Sequence, residues 1–267
     1  MATYKDLHGT RVNVVSSNPS NPKDGEVWYN STLGALKGYV LGTASFSSGP
    51  DAPISRQSTA GGGDSTNAAF VCGGNSPSPT SAGQTTTIEY DGSNWASGGA
   101  MSNARRATSG AGTLTAGLAV AGGNTPPFNS VLVACEEYNG TAWTAGGDLN
   151  SQRSSHAAWG TQTAGCMTSG EITAGPSTFG PTEEYNGTAW TATNPVNTQR
   201  ASNCALGSQT AGLFIGAGPP GKLVEQYNGN TWTAVNELAQ PSQSGFSAGT
   251  TSATSMFFGG YTGTARE

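Results

Sequence analysis

Charge is scarce in this chain. Only 10% of its 267 residues are charged, and Lys and Arg together number 11, against about 25% charged in ordinary soluble domains. The basic residues form no cluster, so the footprint of a protein that grips phosphates is missing and nucleic acid is not an expected partner. No apolar run approaches the roughly 20 residues of a membrane helix. The opening MATYKDLHGT has no apolar signal core, so neither membrane insertion nor export by that route is expected. The four cysteines, Cys72, Cys135, Cys166 and Cys204, include no CxxC pair, and three sit in apolar strand-like runs such as AAFVCGG. They read as buried thiols rather than zinc ligands or a disulfide frame. A helical period of 3.6 is nowhere sustained.

What the chain does have is glycine, small residues and regularly placed aromatics: 40 Gly, with six Trp, eight Tyr and eight Phe. The decapeptide EEYNGTAWTA occurs twice, at Glu136–Ala145 and Glu183–Ala192. Glu-Glu-Tyr reads as one strand and Thr-Ala-Trp-Thr as its return. Asn-Gly between them is the signal of a type I′ turn, with positive φ at both central residues. The related segments IEYDGSNWAS and EQYNGNTWTA place the repeat tyrosines at Tyr90, Tyr138, Tyr185 and Tyr227, steps of 48, 47 and 42 residues. Upstream of each lies an apolar strand ending in small residues, and a fifth such strand, SMFFGG, follows. An arginine stands ten residues past the Trp in three units: Trp95 to Arg105, Trp143 to Arg153, Trp190 to Arg200.

Four short strands per period of about 40–50 residues is the signature of a β-propeller blade. The expected fold is therefore all-β: a five-bladed propeller over residues 36–267, preceded by a docking arm over residues 1–35. The fifth unit lacks its Tyr–Trp hairpin. GYVLGTASFSSG, with Phe46 in the Trp position and Arg56 ten residues on, offers a replacement. Residues 36–48 are accordingly expected to pair with the C-terminal strand and close the ring, removing exposed edges.

The Gly-Gly, Tyr and Trp strands together resemble a Kelch-type propeller, although Ser169-Gly170 and Gly216-Ala217 depart from the Gly-Gly pattern. The tandem EEYNGTAW…R…TQTAG units are similar to repeat proteins of marine bacteriophages, cyanophage-like, that are described as tail-fibre-like or virion structural proteins. Asn18–Val40, with Trp28, Tyr29 and Asn30, resembles a short hairpin module of phage fibre and tail-appendage proteins. The resemblance implies a non-enzymatic component of the virion. Its arm would contact other tail or capsid proteins, with Trp28, Tyr29 and Asn30 as candidate anchors, and its head would be displayed, with a host surface glycan as a possible ligand and oligomers at symmetric virion sites. A glycan-binding propeller and a cellular protein-interaction module are the alternatives.

Several residues invite a site reading. Trp95, Trp143, Trp190 and Trp232 could stack on sugars, or each could pack between blades. Arg56, Arg105, Arg153 and Arg200 could line a channel for an anion, or hydrogen-bond between blades; Ser242 in the fifth unit breaks that ring. Glu136/Glu137 and Glu183/Glu184 point to opposite faces of a strand, so a pair cannot flank one bond as catalytic carboxylates do. The Asn-Gly-Thr triplets match glycosylation acceptors by letter, but their turn role already accounts for them. YDGSNW fails the spacing of a sialidase box, and His8 and His156 are too few for a copper-radical ligand set or a Ser-His-Asp triad. Spaced aspartates of a calcium loop are also missing. No enzymatic activity, metal or cofactor is expected.

Overall fold

The computed structural model describes residues 13–20, 27–38, 49–76, 82–123, 131–172, 181–201, 204–217, 221–249 and 256–259. These contain strands and turns and no helix. The chain divides into two units, Met1–Gly49 and Pro50–Glu267.

The first unit holds a three-stranded sheet in the order β1 (Asn13–Val15), β2 (Val27–Asn30), β3 (Ala35–Gly38). β1 runs parallel to β2, and β3 antiparallel to it. Alternation along β2 buries Trp28 and Asn30 and exposes Val27 and Tyr29, as the period-2 pleat requires. The buried pair is tied to one residue: Asn18 Oδ1 accepts from Trp28 Nε1 at 3.2 Å and from Asn30 Nδ2 at 2.9 Å.

The second unit is a propeller-like arrangement of four-stranded antiparallel blades. The first blade is β4 (Ala60–Ser65), β5 (Ala68–Cys72), β6 (Thr87–Tyr90) and β7 (Trp95–Ser97). The second is β8 (Ser109–Thr113), β9 (Ala116–Gly123), β10 (Val131–Tyr138) and β11 (Trp143–Ala145). The third is β12 (Ala157–Thr161), β13 (Ala164–Thr168), β14 (Thr182–Tyr185) and β15 (Trp190–Thr193). The fourth is β16 (Cys204–Ser208), β17 (Ala211–Ile215), β18 (Val224–Tyr227) and β19 (Trp232–Ala234). β20 (Phe246–Ala248) and β21 (Met256–Phe258) form a two-stranded sheet that follows the fourth blade.

The described residues thus form four blades, not the five expected. Only the first residues of the expected closing segment are described, and these pair elsewhere: Ala35–Gly38 pairs with β2, with Val27 opposite Gly38; residues 39–48, Phe46 included, lie outside the described residues. The fourth blade has also lost the groups that receive a following Tyr–Trp hairpin. Earlier blades carry Thr87, Cys135 or Thr182, and then Glu89, Glu137 or Glu184, at those positions; the fourth carries Val224 and Gln226.

Small residues in the innermost strands follow from proximity. A Cβ on Gly110 of β8 would stand 2.6 Å from the Gly61 carbonyl of β4, and one on Gly62 would stand 2.8 Å from the Gly112 carbonyl. Adjacent inner strands therefore meet backbone to backbone. Between blades the larger residues fill the space: Phe70 and Cys72 pack on Ala119, Tyr138 and Trp143, and Trp159 and Cys166 on Phe214, Tyr227 and Trp232.

The second strand of each blade ends in a corner of two successive left-handed residues: Gly73-Gly74, Ala121-Gly122, Ser169-Gly170 and Gly216-Ala217, with φ between +44° and +102°. In the second blade the corner lies one residue before the Gly-Gly doublet visible in the sequence. The corner's second N–H crosses to the next blade, from Gly74 to the Arg105 carbonyl at 2.9 Å and from Gly122 to the Arg153 carbonyl at 3.0 Å.

The Tyr–Trp hairpin differs from the two-residue turn expected. Tyr138 pairs with Trp143 across a four-residue loop. Only the glycine has positive φ, +89° at both Gly140 and Gly187. The asparagine instead makes an Asx turn, with Asn139 Oδ1 accepting from Thr141 N at 3.0 Å and Ala142 N at 2.9 Å. Gly140→Val or Gly187→Val should cost about 1 kcal/mol or more, because a β-branched residue resists that φ. Thr115 would also lie 3.3 Å from a Cβ at 140. Urea denaturation measures this, and unchanged midpoints at both sites would contradict the loop assignment.

Candidate functional site

Three kinds of polar side chain recur in register, and each is engaged at a joint. The arginines come first. Arg105 lies in the connection entering the second blade and is 0% exposed. Its Nη2 pairs with Glu136 Oε1 at 2.6 Å, and its Nη1 donates to the Ala121 and Ala134 carbonyls at 3.2 and 2.8 Å. Arg153 repeats this with Glu183 at 2.6 Å and the Ser169 and Pro181 carbonyls. Arg200 pairs with Glu225 at 2.5 Å and stands 4.1 Å over the Phe214 ring. Each carboxylate has further donors from the incoming connection: Ser102 N and Asn103 N for Glu136, Asn150 N and Nδ2 for Glu183, Asn197 N and Thr198 N for Glu225. These are buried ion pairs whose lone pairs are filled. Burial pushes the Arg153 and Arg200 guanidiniums below their ordinary range, and the partner glutamates oppose this.

Arg56 departs from the pattern. Its Nη1 binds the Gly73 and Thr86 carbonyls at 3.1 and 3.0 Å, the same carbonyl positions that Arg105 and Arg153 use. The carboxylate position holds Ile88, so Nη2 bonds the Thr86 hydroxyl at 2.7 Å instead. Ser242 keeps part of the role, its hydroxyl donating to the Gly259 carbonyl at 3.1 Å.

The tyrosines reach backward. Tyr138 OH donates to Glu89 of the preceding blade, Tyr185 OH to Glu137 at 2.5 Å, and Tyr227 OH to Glu184 at 2.9 Å. Burial first, and then the facing carboxylate, pushes the Tyr138 and Tyr185 phenols up to about 12. Successive glutamates therefore have separate tasks. The first of each pair locks its own blade to the incoming connection; the second receives the next blade.

The tryptophans also reach backward. Trp143 Nε1 donates to Thr87 and Trp232 Nε1 to Thr182, both at 2.9 Å. Trp190 finds Cys135 where its neighbours find threonine, so its N–H has only a weakly accepting sulfur. Burial pushes that thiol up to about 12. Cys135→Thr should supply the missing hydroxyl and raise stability by about 1 kcal/mol; a thermal melt unchanged or lowered would contradict this pairing. Trp143, Trp190 and Trp232 are buried and lie against Tyr138, Tyr185 and Tyr227, with centroids 4.7–4.9 Å apart. Their rings face protein rather than solvent. Trp95 is half-buried, its Nε1 donating to the Pro50 carbonyl at 3.2 Å.

Of the proposed anchors, Trp28 and Asn30 point inward and Tyr29 outward. All four cysteines are free. Burial pushes the Cys72 thiol up to about 12 and the Cys204 thiol up to about 11, so both stay protonated at neutral pH. Among the described residues no group of His, Cys, Asp and Glu could hold a metal ion, and no helix is long and apolar enough to cross a membrane. The variable loops between second and third strands lie largely outside the described residues.

Sequence reasoning passed over a cavity of about 980 Å³ where the inner strands converge. The turns leading into β4, β8, β12 and β20 line it, together with the start of β16. Its signal in the sequence was the recurrence of Ser or Ala two residues past each Arg position, at Ser58, Ala107, Ser155 and Ser244. These residues have φ from +48° to +58°.

No protein-family model matches the chain, and none of the curated proteins matches it either.

Proposed function

We propose that the protein is a non-enzymatic structural component of a bacteriophage particle, a tail or capsid appendage. Its N-terminal unit anchors it to other virion proteins, and its propeller is displayed for host-surface attachment or particle stabilisation. The observation that carries this reading is the engagement of the repeated Arg, Glu, Tyr and Trp side chains within and between blades. Groups that would otherwise suggest chemistry act as framework, which suits a rigid display head. The likeness of the EEYNGTAW repeats and of the Trp28–Asn30 hairpin to phage appendage proteins points the same way. The first unit also presents a suitable contact surface, since Val14 is 64% exposed, Leu33 60%, Val27 46% and Tyr29 38%.

The test is a Val14→Asp/Tyr29→Asp double variant. Both side chains are exposed, so folding should be retained. Purified particles should lose the protein, as read by immunoblot against a major capsid component. Full occupancy of the double variant would contradict anchoring by this face.

A further inference from the structure

We propose that the axial cavity is a saccharide-binding site. The inference rests on the propeller unit alone and stands apart from the anchoring role of the N-terminal unit.

The cavity exists because the inner strands are built from small residues. A narrow ring of strands is ordinarily filled by its own side chains. Here Gly61, Gly110, Ala157, Ala158 and Ala205 are among the lining residues, and the space stays open. Polar groups then ring its wall. Ser58, Ala107, Ser155 and Ser244 occupy one register position and share a left-handed conformation. That conformation costs about 1–2 kcal/mol per residue. It directs the main chain around the ring: Ala107 N donates to the Ser58 carbonyl at 2.9 Å, and Ser155 N to the Ala107 carbonyl at 2.8 Å. Those two bonds engage main-chain groups at Ser58, Ala107 and Ser155, while the serine hydroxyls at this position and the unpartnered His156 ring nitrogens stand among the lining residues. Ser58, Ser155 and Ser244 have no side-chain hydrogen bond among the described residues, and Ser58 and Ser244 are exposed. The Gln57 amide stands beside Ser58, also exposed. Phe246, 64% exposed, lines the same cavity.

Hydroxyl and amide groups that both donate and accept, converging with an exposed aromatic ring, match a sugar's two surfaces. Its hydroxyls bond to the former, and its C–H face lies on the latter. No carboxylate is among the lining residues, and both Nη atoms of Arg56 are already held by Gly73 and Thr86. A cluster of this kind in a cavity of this size takes a ligand of one or a few sugar units.

The experiment uses the full chain. A glycan array selects structures. Saturation-transfer NMR and calorimetry with the methyl glycosides of galactose, N-acetylglucosamine and galacturonic acid then measure binding directly. Two variants localise it. Ser58→Ala/Ser155→Ala/Ser244→Ala should fold, since Ala107 already holds that position, and should weaken binding about tenfold or more. Phe246→Ala should weaken it comparably, while Phe246→Tyr should retain it. Absence of any saccharide binding by the natural chain would overturn the proposal. So would binding that neither variant diminishes.

Discussion

Arg153→Leu should cost the propeller unit about 3–5 kcal/mol, because it strands a buried carboxylate. Glu183 is 1% exposed and would keep only the Asn150 donors, while the Ser169 and Pro181 carbonyls would each lose a partner. The informative comparison is Arg56→Leu. Arg56 occupies the same place in its blade, but Ile88 replaces the glutamate, so only neutral acceptors are left behind, at about 1–2 kcal/mol. Combining Arg153→Met with Glu183→Leu should recover most of the loss, since it removes the charge together with its partner. Urea denaturation of the three variants measures this. Equal costs at positions 56 and 153 would mean that the arginines act by packing alone.

Acid should loosen the joint between the second and third blades through His156. Its ring is 3% exposed and neither nitrogen meets a hydrogen-bond partner. Burial, and then the nearby Arg153 charge, lower its pKa to about 3; the Val120 backbone opposes this, and the Arg105 charge adds a smaller push downward. The unfolded chain binds the proton near the ordinary value of about 6.5, so between these limits it holds more protons than the native state. Stability therefore rises with pH. It is complete above about 6.5 and falls progressively as pH drops toward 3, by about 4–5 kcal/mol across the window. His156→Thr, the residue at the matching position Thr108, should remove this slope above pH 5. A variant whose stability falls with acid as steeply as the natural chain would show that other groups carry the dependence.

The repeat, the four-strand blade and the order of strands were legible because they rest on period and on residue type. Arg spacing was legible too, but its partner was not. Glu136 is 31 residues from Arg105, and only the third strand's register brings them to 2.6 Å. The tasks of Glu136 and Glu137 differ by strand alternation, which the letters Glu-Glu do not distinguish. The corner at Ala121-Gly122 and the left-handed serines escaped notice because sequence reasoning looks for glycine at positive φ, whereas here interblade hydrogen bonds hold Ser and Ala there. The missing Tyr–Trp motif after the fourth unit was visible in the letters, but the inference that residues 36–48 replace it took no account of Val224 and Gln226. Those two residues carry no hydroxyl and no carboxylate to receive a Trp and a Tyr.

The most direct measurement is a reconstruction of the phage particle proposed to carry this chain, at a resolution that separates the two units. The account predicts four-stranded blades projecting outward, with the Val14–Tyr29 face of the N-terminal sheet seated on a tail or capsid protein. Particles purified to homogeneity that lack this chain, or that hold it by the blades with the N-terminal sheet free in solvent, would contradict it.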